Sequence, residues 1–184
     1  MKLLPGDLLV SSPELLMDNV FNQSVVLMVE HNKNGSMGFI INKALPLRIN
    51  DIFEDIPSNI QLWKGGPVET GNMFYLHNTP HLIPDSVLFD VSKDLYIGGD
   101  FERIKKLLKD KMIDENNIKF FLGYSGWSAN QLQQEFDEKA WYRVPADNIN
   151  LFDLNPKNLW KEKIVEIDPE NIIWKNAPLN PNLN

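Results

Sequence analysis

Gly123-Tyr124-Ser125-Gly126-Trp127-Ser128-Ala129-Asn130-Gln131-Leu132-Gln133-Gln134-Glu135-Phe136 follows directly on the apolar run Ile118-Lys119-Phe120-Phe121-Leu122. The run reads as a central strand, and the two glycines around Ser125 read as a tight turn. Ser128, with Gln131 three residues on, has the form of a capping box, and Trp127 with Leu132 has the spacing of a hydrophobic staple. The segment therefore predicts strand, turn and capped helix, with Ala129, Leu132 and Phe136 on the helix's inner side. Such a unit aims backbone N–H groups and two hydroxyls at one place.

Upstream, Leu8-Leu9-Val10 and Ser24-Val25-Val26-Leu27-Met28-Val29-Glu30 read as strands. Asn32-Lys33-Asn34-Gly35 is a turn, and Met37-Gly38-Phe39-Ile40-Ile41-Asn42 returns, so residues 24–42 predict a β-hairpin. Ile49, Ile52, Phe53 and Ile56 recur at helical spacing until Pro57. Trp63-Lys64-Gly65-Gly66-Pro67-Val68 reads as a bend outside regular structure. Met73 to His77, Val87 to Phe89 and Leu95 to Ile97 read as strands. Asp100 suits the N-cap of a helix with Phe101, Ile104, Leu107, Leu108 and Met112 on one face. After Trp141 the pattern weakens to a turn region over 145–153 and a short helix over 159–164. Hairpins and helices mix without a βαβ rhythm. This predicts a single α+β domain with a strongly bent, largely antiparallel or mixed sheet and a few flanking helices. The domain spans 1–175, and 176–184 reads as a loose tail.

Composition narrows the function classes. The chain has 184 residues, 43% of them hydrophobic, enough for a substantial core. Its net charge of −7 opposes non-specific association with nucleic acid or anionic membranes. The absence of cysteine removes disulfides, thiolate zinc sites, iron–sulfur clusters and thiol nucleophiles together. Met1-Lys2-Leu3-Leu4-Pro5-Gly6-Asp7 lacks the apolar stretch of a signal peptide, and no run reaches the roughly 20 apolar residues of a membrane helix. A cytoplasmic protein without a membrane partner is the expectation.

No catalytic constellation is complete. Ser125 sits between a strand and a helix, but Gly-Tyr-Ser-Gly is not the Gly-x-Ser-x-Gly of a nucleophile elbow. His31, His77 and His81 all precede it, which excludes the Ser…Asp…His chain order while leaving other orders open. His77 and His81 are separated by Pro80 and do not share a helical face, so no metal is predicted. Gly65-Gly66 and Gly98-Gly99 continue into no phosphate loop, and no cofactor is expected. Arg103, Lys105, Lys106, Lys109 and Lys111 read as the solvated face of one helix, which disfavours nucleic acid as a partner without excluding it.

Several separated motifs occur in one order. They are Pro5 to Pro13, Phe21 with Ser24-Val25-Val26-Leu27, Glu30-His31, Gly35 to Lys43, Gly65-Gly66-Pro67-Val68, Leu76-His77 and Gly123 to Phe136 with Trp141. Together they resemble the YqgE/AlgH family of bacterial proteins over roughly residues 5 to 165. Ala44 departs from the pattern, because the family usually carries proline after Asn42-Lys43. The resemblance implies a single α+β domain built on coiled, bifurcated sheets and an unassigned biochemistry, with some members labelled transcriptional regulators. It also implies a cleft formed by Glu30, His31, Asn42, Gly65, Gly66, Pro67, His77, Ser125, Gly126, Trp127 and Ser128. The expected function is non-enzymatic and regulatory, through a small ligand or a protein partner. The alternatives are a hydrolase-type enzyme using His31 or His77 with Ser125 or water, and a DNA-binding regulator.

Overall fold

The computed structural model describes residues 3–90, 92–145 and 150–176. Ten strands form one curled sheet: β1 (Leu8–Ser11), β2 (Val25–Asn32), β3 (Gly35–Ile40), β4 (Ala44–Arg48), β5 (Gln61–Lys64), β6 (Val68–His77), β7 (Val87–Asp90), β8 (Leu95–Ile97), β9 (Ile118–Ser128) and β10 (Trp141–Val144). Among the described residues four α-helices accompany them: α1 (Ile49–Ile52), α2 (Phe101–Lys109), α3 (Gln131–Asp137) and α4 (Pro156–Ile167). The strand order is β10-β1-β2-β3-β9-β6-β8-β7, with β4 on β5 and β5 also on β9. Every pairing is antiparallel except β5 with β9. This is the expected α+β class with a strongly bent, mixed sheet.

The sheet divides at β9. Its first half pairs with β5 through Leu62↔Phe120 and with β6 through His77↔Ile118, whereas its second half pairs with β3 through Gly38↔Ser125 and Gly35↔Ser128. Three apolar clusters follow from this division. Phe121 belongs to the central one with Leu27, Phe39 and Trp160; Ile118 and Phe120 join Ile104, Leu107 and Leu108 of α2; Trp127 joins Met28, Leu132 and Trp141. One strand thus contributes to all three cores. β2 does nearly the same, which explains its unbroken apolar run: Val25, Leu27 and Val29 face one cluster, Val26 and Met28 another.

The ladder overrides several local signals. Gly123 to Ser128 is continuous strand rather than a turn, because β3 supplies hydrogen-bonding partners along Ser125 to Ser128. The helix accordingly starts later, at Gln131, with the left-handed Asn130 at its N-cap and no side-chain cap. Half of the expected capping box survives: Gln131 Oε1 accepts the Ser128 N–H at 3.0 Å. Trp63 and Lys64 lie in β5 and Val68 opens β6, so only residues 65–67 form the bend. The hairpin's return strand ends at Ile40, α1 is a single turn, and Met112 lies beyond the end of α2. The C-terminal helix is longer than its apolar pattern, extending over Pro156–Ile167. β4 and β10 carried no sequence signal that distinguished them. Residues 146–149 of the expected turn region and 177–184 of the expected tail lie outside the described residues.

Candidate ligand pocket

The sequence-selected residues fall in four places. Glu30, His31 and Ser128 lie at the hairpin tip: His31 Nδ1 meets Ser36 Oγ at 2.8 Å, Glu30 accepts from Asn32, and Ser128 bonds Gln131. A shallow groove of about 400 Å³ opens there between His31, Ser36, Ser128, Asn130 and Gln133. Gly65, Gly66, Ser125, Gly126 and Trp127 meet where the sheet divides, with Pro67 exposed beside them. His77 lies at the far end of β6, and Asn42 beside a separate pocket.

Ser125 is wholly buried, and its hydroxyl donates to Gly65 O at 3.0 Å. The same carbonyl accepts the Ile40 N–H at 2.9 Å, so it binds β3 and β9 to the bend. His77 pairs with Ile118, seven residues along β9 from Ser125, a separation of about 20 Å at strand rise. His77 is also fully enclosed: Thr79 N–H donates to Nδ1 at 3.3 Å, Nε2 lies 3.1 Å from Gly98 O, and Tyr96 stacks on the ring. That arrangement assigns the proton to Nε2 and leaves neither nitrogen for substrate. Burial lowers the imidazole pKa against the raising effect of the Gly98 bond, so the ring is neutral at pH 7. His31 lies two strands from β9, with its partner Ser36 opposite Trp127, about 11 Å from Ser125 between Cα atoms. Neither histidine pairs with the serine.

Trp127 belongs to the packing. Its indole N–H and that of Trp141 both donate to Glu135 Oε2, at 2.9 and 2.7 Å, and the two rings meet edge to face. Three basic residues of α2 are likewise engaged: Lys105 pairs with Glu102, Lys109 with Asp55, and Arg103 Nε donates to Leu82 O. Among the described residues no cluster of three His, Asp or Glu side chains could hold a metal ion, and no helix is long and apolar enough to cross a membrane.

A second pocket, also about 400 Å³, carries denser chemistry. Asn22 and Gln23 line one side, Asn42, Lys43, Ala44 and Leu45 the next, Lys64 a third, and the head of α4 with Pro156, Lys157 and Trp160 the fourth. The backbone joins two of these walls, because Lys64 N–H donates to Lys43 O at 2.9 Å. Asn42 ties down the opposite wall, accepting from Val25 N–H and donating to Gln23 O, both at 2.9 Å. Lys43 Nζ donates to Val20 O at 2.7 Å and Asn22 Oδ1 at 2.9 Å, both uncharged acceptors. Burial and the positive charge of Lys64 lower its amine to about 8, with Asp18 pulling the other way. Of the sequence-selected set only Asn42 reaches this pocket. The signal for the rest was adjacency: Lys43 follows Asn42, and Lys64 precedes Gly65-Gly66.

A second buried amine sits elsewhere. Lys119 on β9 is 7% exposed, 4.0 Å from the Trp63 ring centre, and donates to Leu151 O at 3.1 Å. Desolvation lowers it to about 8. Between pH 8 and 10.5 the folded chain therefore binds fewer protons here than the unfolded chain, and stability rises with pH until it is opposed by groups such as the half-buried Tyr75, whose pKa is raised. The full shift corresponds to about 3 kcal/mol, part of it offset by the ring and the carbonyl. Lys119→Met is expected to raise unfolding free energy at pH 7 by about 1–2 kcal/mol and to flatten this rise. Urea melts at pH 7, 8.5 and 9.5 test it; an unchanged slope in the variant counts against it.

A curled, bifurcated-sheet α+β domain with a solvent-open, lysine-lined pocket is the class these features define. The profile of the family described as AlgH-like matches residues 8–171, and the chain belongs to that family, YqgE/AlgH. It is 40% identical over 181 residues to a UPF0301 protein of Bacteroides thetaiotaomicron, covering 97% of this chain and 90% of the relative. It is 36% identical to one of Cytophaga hutchinsonii, covering 99% and 100%. The solution structure of the AlgH protein from Pseudomonas aeruginosa superposes with a TM-score of 0.73 at 27% identity, over 97% of this chain and 99% of that one. A Corynebacterium diphtheriae protein shares the fold, with a TM-score of 0.60 at 18% identity over 87% and 92%. The family carries no assigned biochemistry.

Proposed function

We propose that this chain is a non-enzymatic binding protein that acts in regulation by holding a small ligand in the pocket between Lys43, Lys64 and the head of α4. One observation carries the reading. Ser125 and His77, the groups best suited to catalysis, are committed to internal hydrogen bonds, whereas the pocket sets the partly exposed Lys64 and the exposed Lys157 beside apolar walls. The hairpin-tip groove is a less favoured place for the same activity, because His31 and Ser128 already bond neighbouring side chains.

NMR titration against a mixed panel of neutral, cationic and anionic metabolites tests the reading. Amide shifts at Asn42, Ala44 and Leu45, with every compound recovered unchanged, are expected. Turnover of a panel ester or phosphate that disappears in Ser125→Ala or His31→Ala overturns it. So does a panel in which nothing perturbs the pocket.

A further inference from the structure

We infer that the ligand of this pocket is a small organic phosphate, its anionic group held by Lys64, Lys157 and the open end of α4 and its body laid against Leu45, Pro156 and Trp160. The inference rests on the binding reading above and specifies its chemistry. The protein carries seven more acidic than basic residues, yet no described carboxylate forms an ion pair with Lys43, Lys64 or Lys157. Lys43 and Lys64 are close enough for their charges to oppose each other. Like charges held together in a half-buried wall, with carboxylates elsewhere in excess, leave a field that an anion relieves.

The backbone adds an independent donor set. α4 has twelve residues and begins with Asn155 at its N-cap, which makes no side-chain cap, and Pro156, which has no N–H. The N–H groups that follow have no partner within the helix, and the positive end of the helix dipole lies where Pro156 and Lys157 line the pocket. Apolar Ala44, Leu45, Pro156 and Trp160 complete the walls, so a phosphate with an organic body fits better than a bare ion. Trp160 is held as a fixed floor by its indole N–H on Ser11 O at 2.8 Å. Two charged groups act on Lys43, Lys64 from β5 and Asp18 from the turn before β2, and Lys157 at the head of α4 lines the same pocket. An anion favours the protonated amine, so affinity falls as pH rises through about 8.

Calorimetric titration of the full chain with phenyl phosphate, with phenol as its neutral counterpart, tests the inference. Lys64→Gln and Lys157→Gln are each expected to weaken phenyl phosphate about tenfold, with Lys64→Arg retaining affinity. Both positions are partly or fully exposed, and an unchanged melting temperature shows that the variants fold. Wild-type affinity is expected to fall up to about tenfold per pH unit above 8, and Lys43→Met to remove that dependence. Inorganic phosphate should compete weakly, and phosphatidylglycerol vesicles should not bind. Vesicle binding lost in the same lysine variants would assign the site to lipid headgroups and overturn the small-molecule assignment. If phenol or another neutral compound occupies the pocket as well as phenyl phosphate does, the phosphate assignment fails while the binding reading stands. If no compound of either charge class enters, both fail.

Discussion

Gly65→Ala is expected to lower unfolding free energy by about 4 kcal/mol or more, shifting a urea midpoint by about 2 M. A Cβ at Gly65 would stand 2.0 Å from Gly123 O and 2.9 Å from Phe39 Cδ1. The first contact is with backbone, so no rotamer change relieves it. Backbone movement would also disturb the Gly65 carbonyl, which accepts from Ile40 N–H and the Ser125 hydroxyl, and the Gly65 N–H, which donates to Leu122 O at 2.9 Å. Those bonds join β3, β5 and β9 where the sheet divides. A loss of this size is a large fraction of the roughly 5–15 kcal/mol of a whole domain. Gly71→Ala is the control: nothing lies within 4 Å of its Cβ, and a change within about 0.5 kcal/mol is expected. Equal midpoints for the two variants would show that the crossing is looser than its geometry.

Arg143→Met is expected to cost about 2–4 kcal/mol by leaving Asp7 buried without its cation. Arg143 on β10 donates through Nε to Asp7 Oδ2 at 2.6 Å and through Nη2 to Oδ1 at 3.1 Å. Asp7 is 6% exposed and also accepts the Leu4 N–H at 2.7 Å. Arg143 is more open to solvent, which places the expected loss below that of a fully buried pair. The pair ties the lead into β1 to the last strand of the sheet, 136 residues away. Asp7→Asn combined with Arg143→Met should be less destabilised than Arg143→Met alone, because the stranded charge is gone. Additive losses in the double variant would place the cost in Arg143 packing instead.

Local patterns were legible wherever a segment's neighbours agreed with its own preference. The hairpin expected over 24–42 formed over 25–40, because Val25 to Val29 is apolar on both faces and the turn at residues 33–34 joins its strands directly. Asp100 caps α2 as its position suggested, accepting Arg103 N–H at 3.1 Å. The reading failed where a distant strand supplied the partner. Two glycines around Ser125 signal a turn in isolation, but β3 lies alongside and draws the segment into the ladder. Gly66 and Gly123 are glycines because backbones cross there: a Cβ on Gly66 would meet Tyr124 O at 2.2 Å, and Gly123 has φ +66°. The expected cleft included Gly65 and Gly66, and at this crossing both let backbones approach closely.

The same limit applied to the pocket. Asn42-Lys43 and Lys64 are 21 residues apart, and Lys157 is 93 residues beyond Lys64, so no local pattern could associate them. By itself the sequence determined the family, the α+β class, the strand and helix identities of the strongly periodic segments and the absence of thiol chemistry, because each follows from side chains or neighbours within a few residues. Tertiary structure alone decided that β9 runs unbroken through its glycines, that Ser125 and His77 are sealed, and that three lysines line one pocket without forming an ion pair to a described carboxylate. Those outcomes depend on hydrogen-bond partners and desolvation supplied by segments remote in the chain, which only the folded sheet brings into contact.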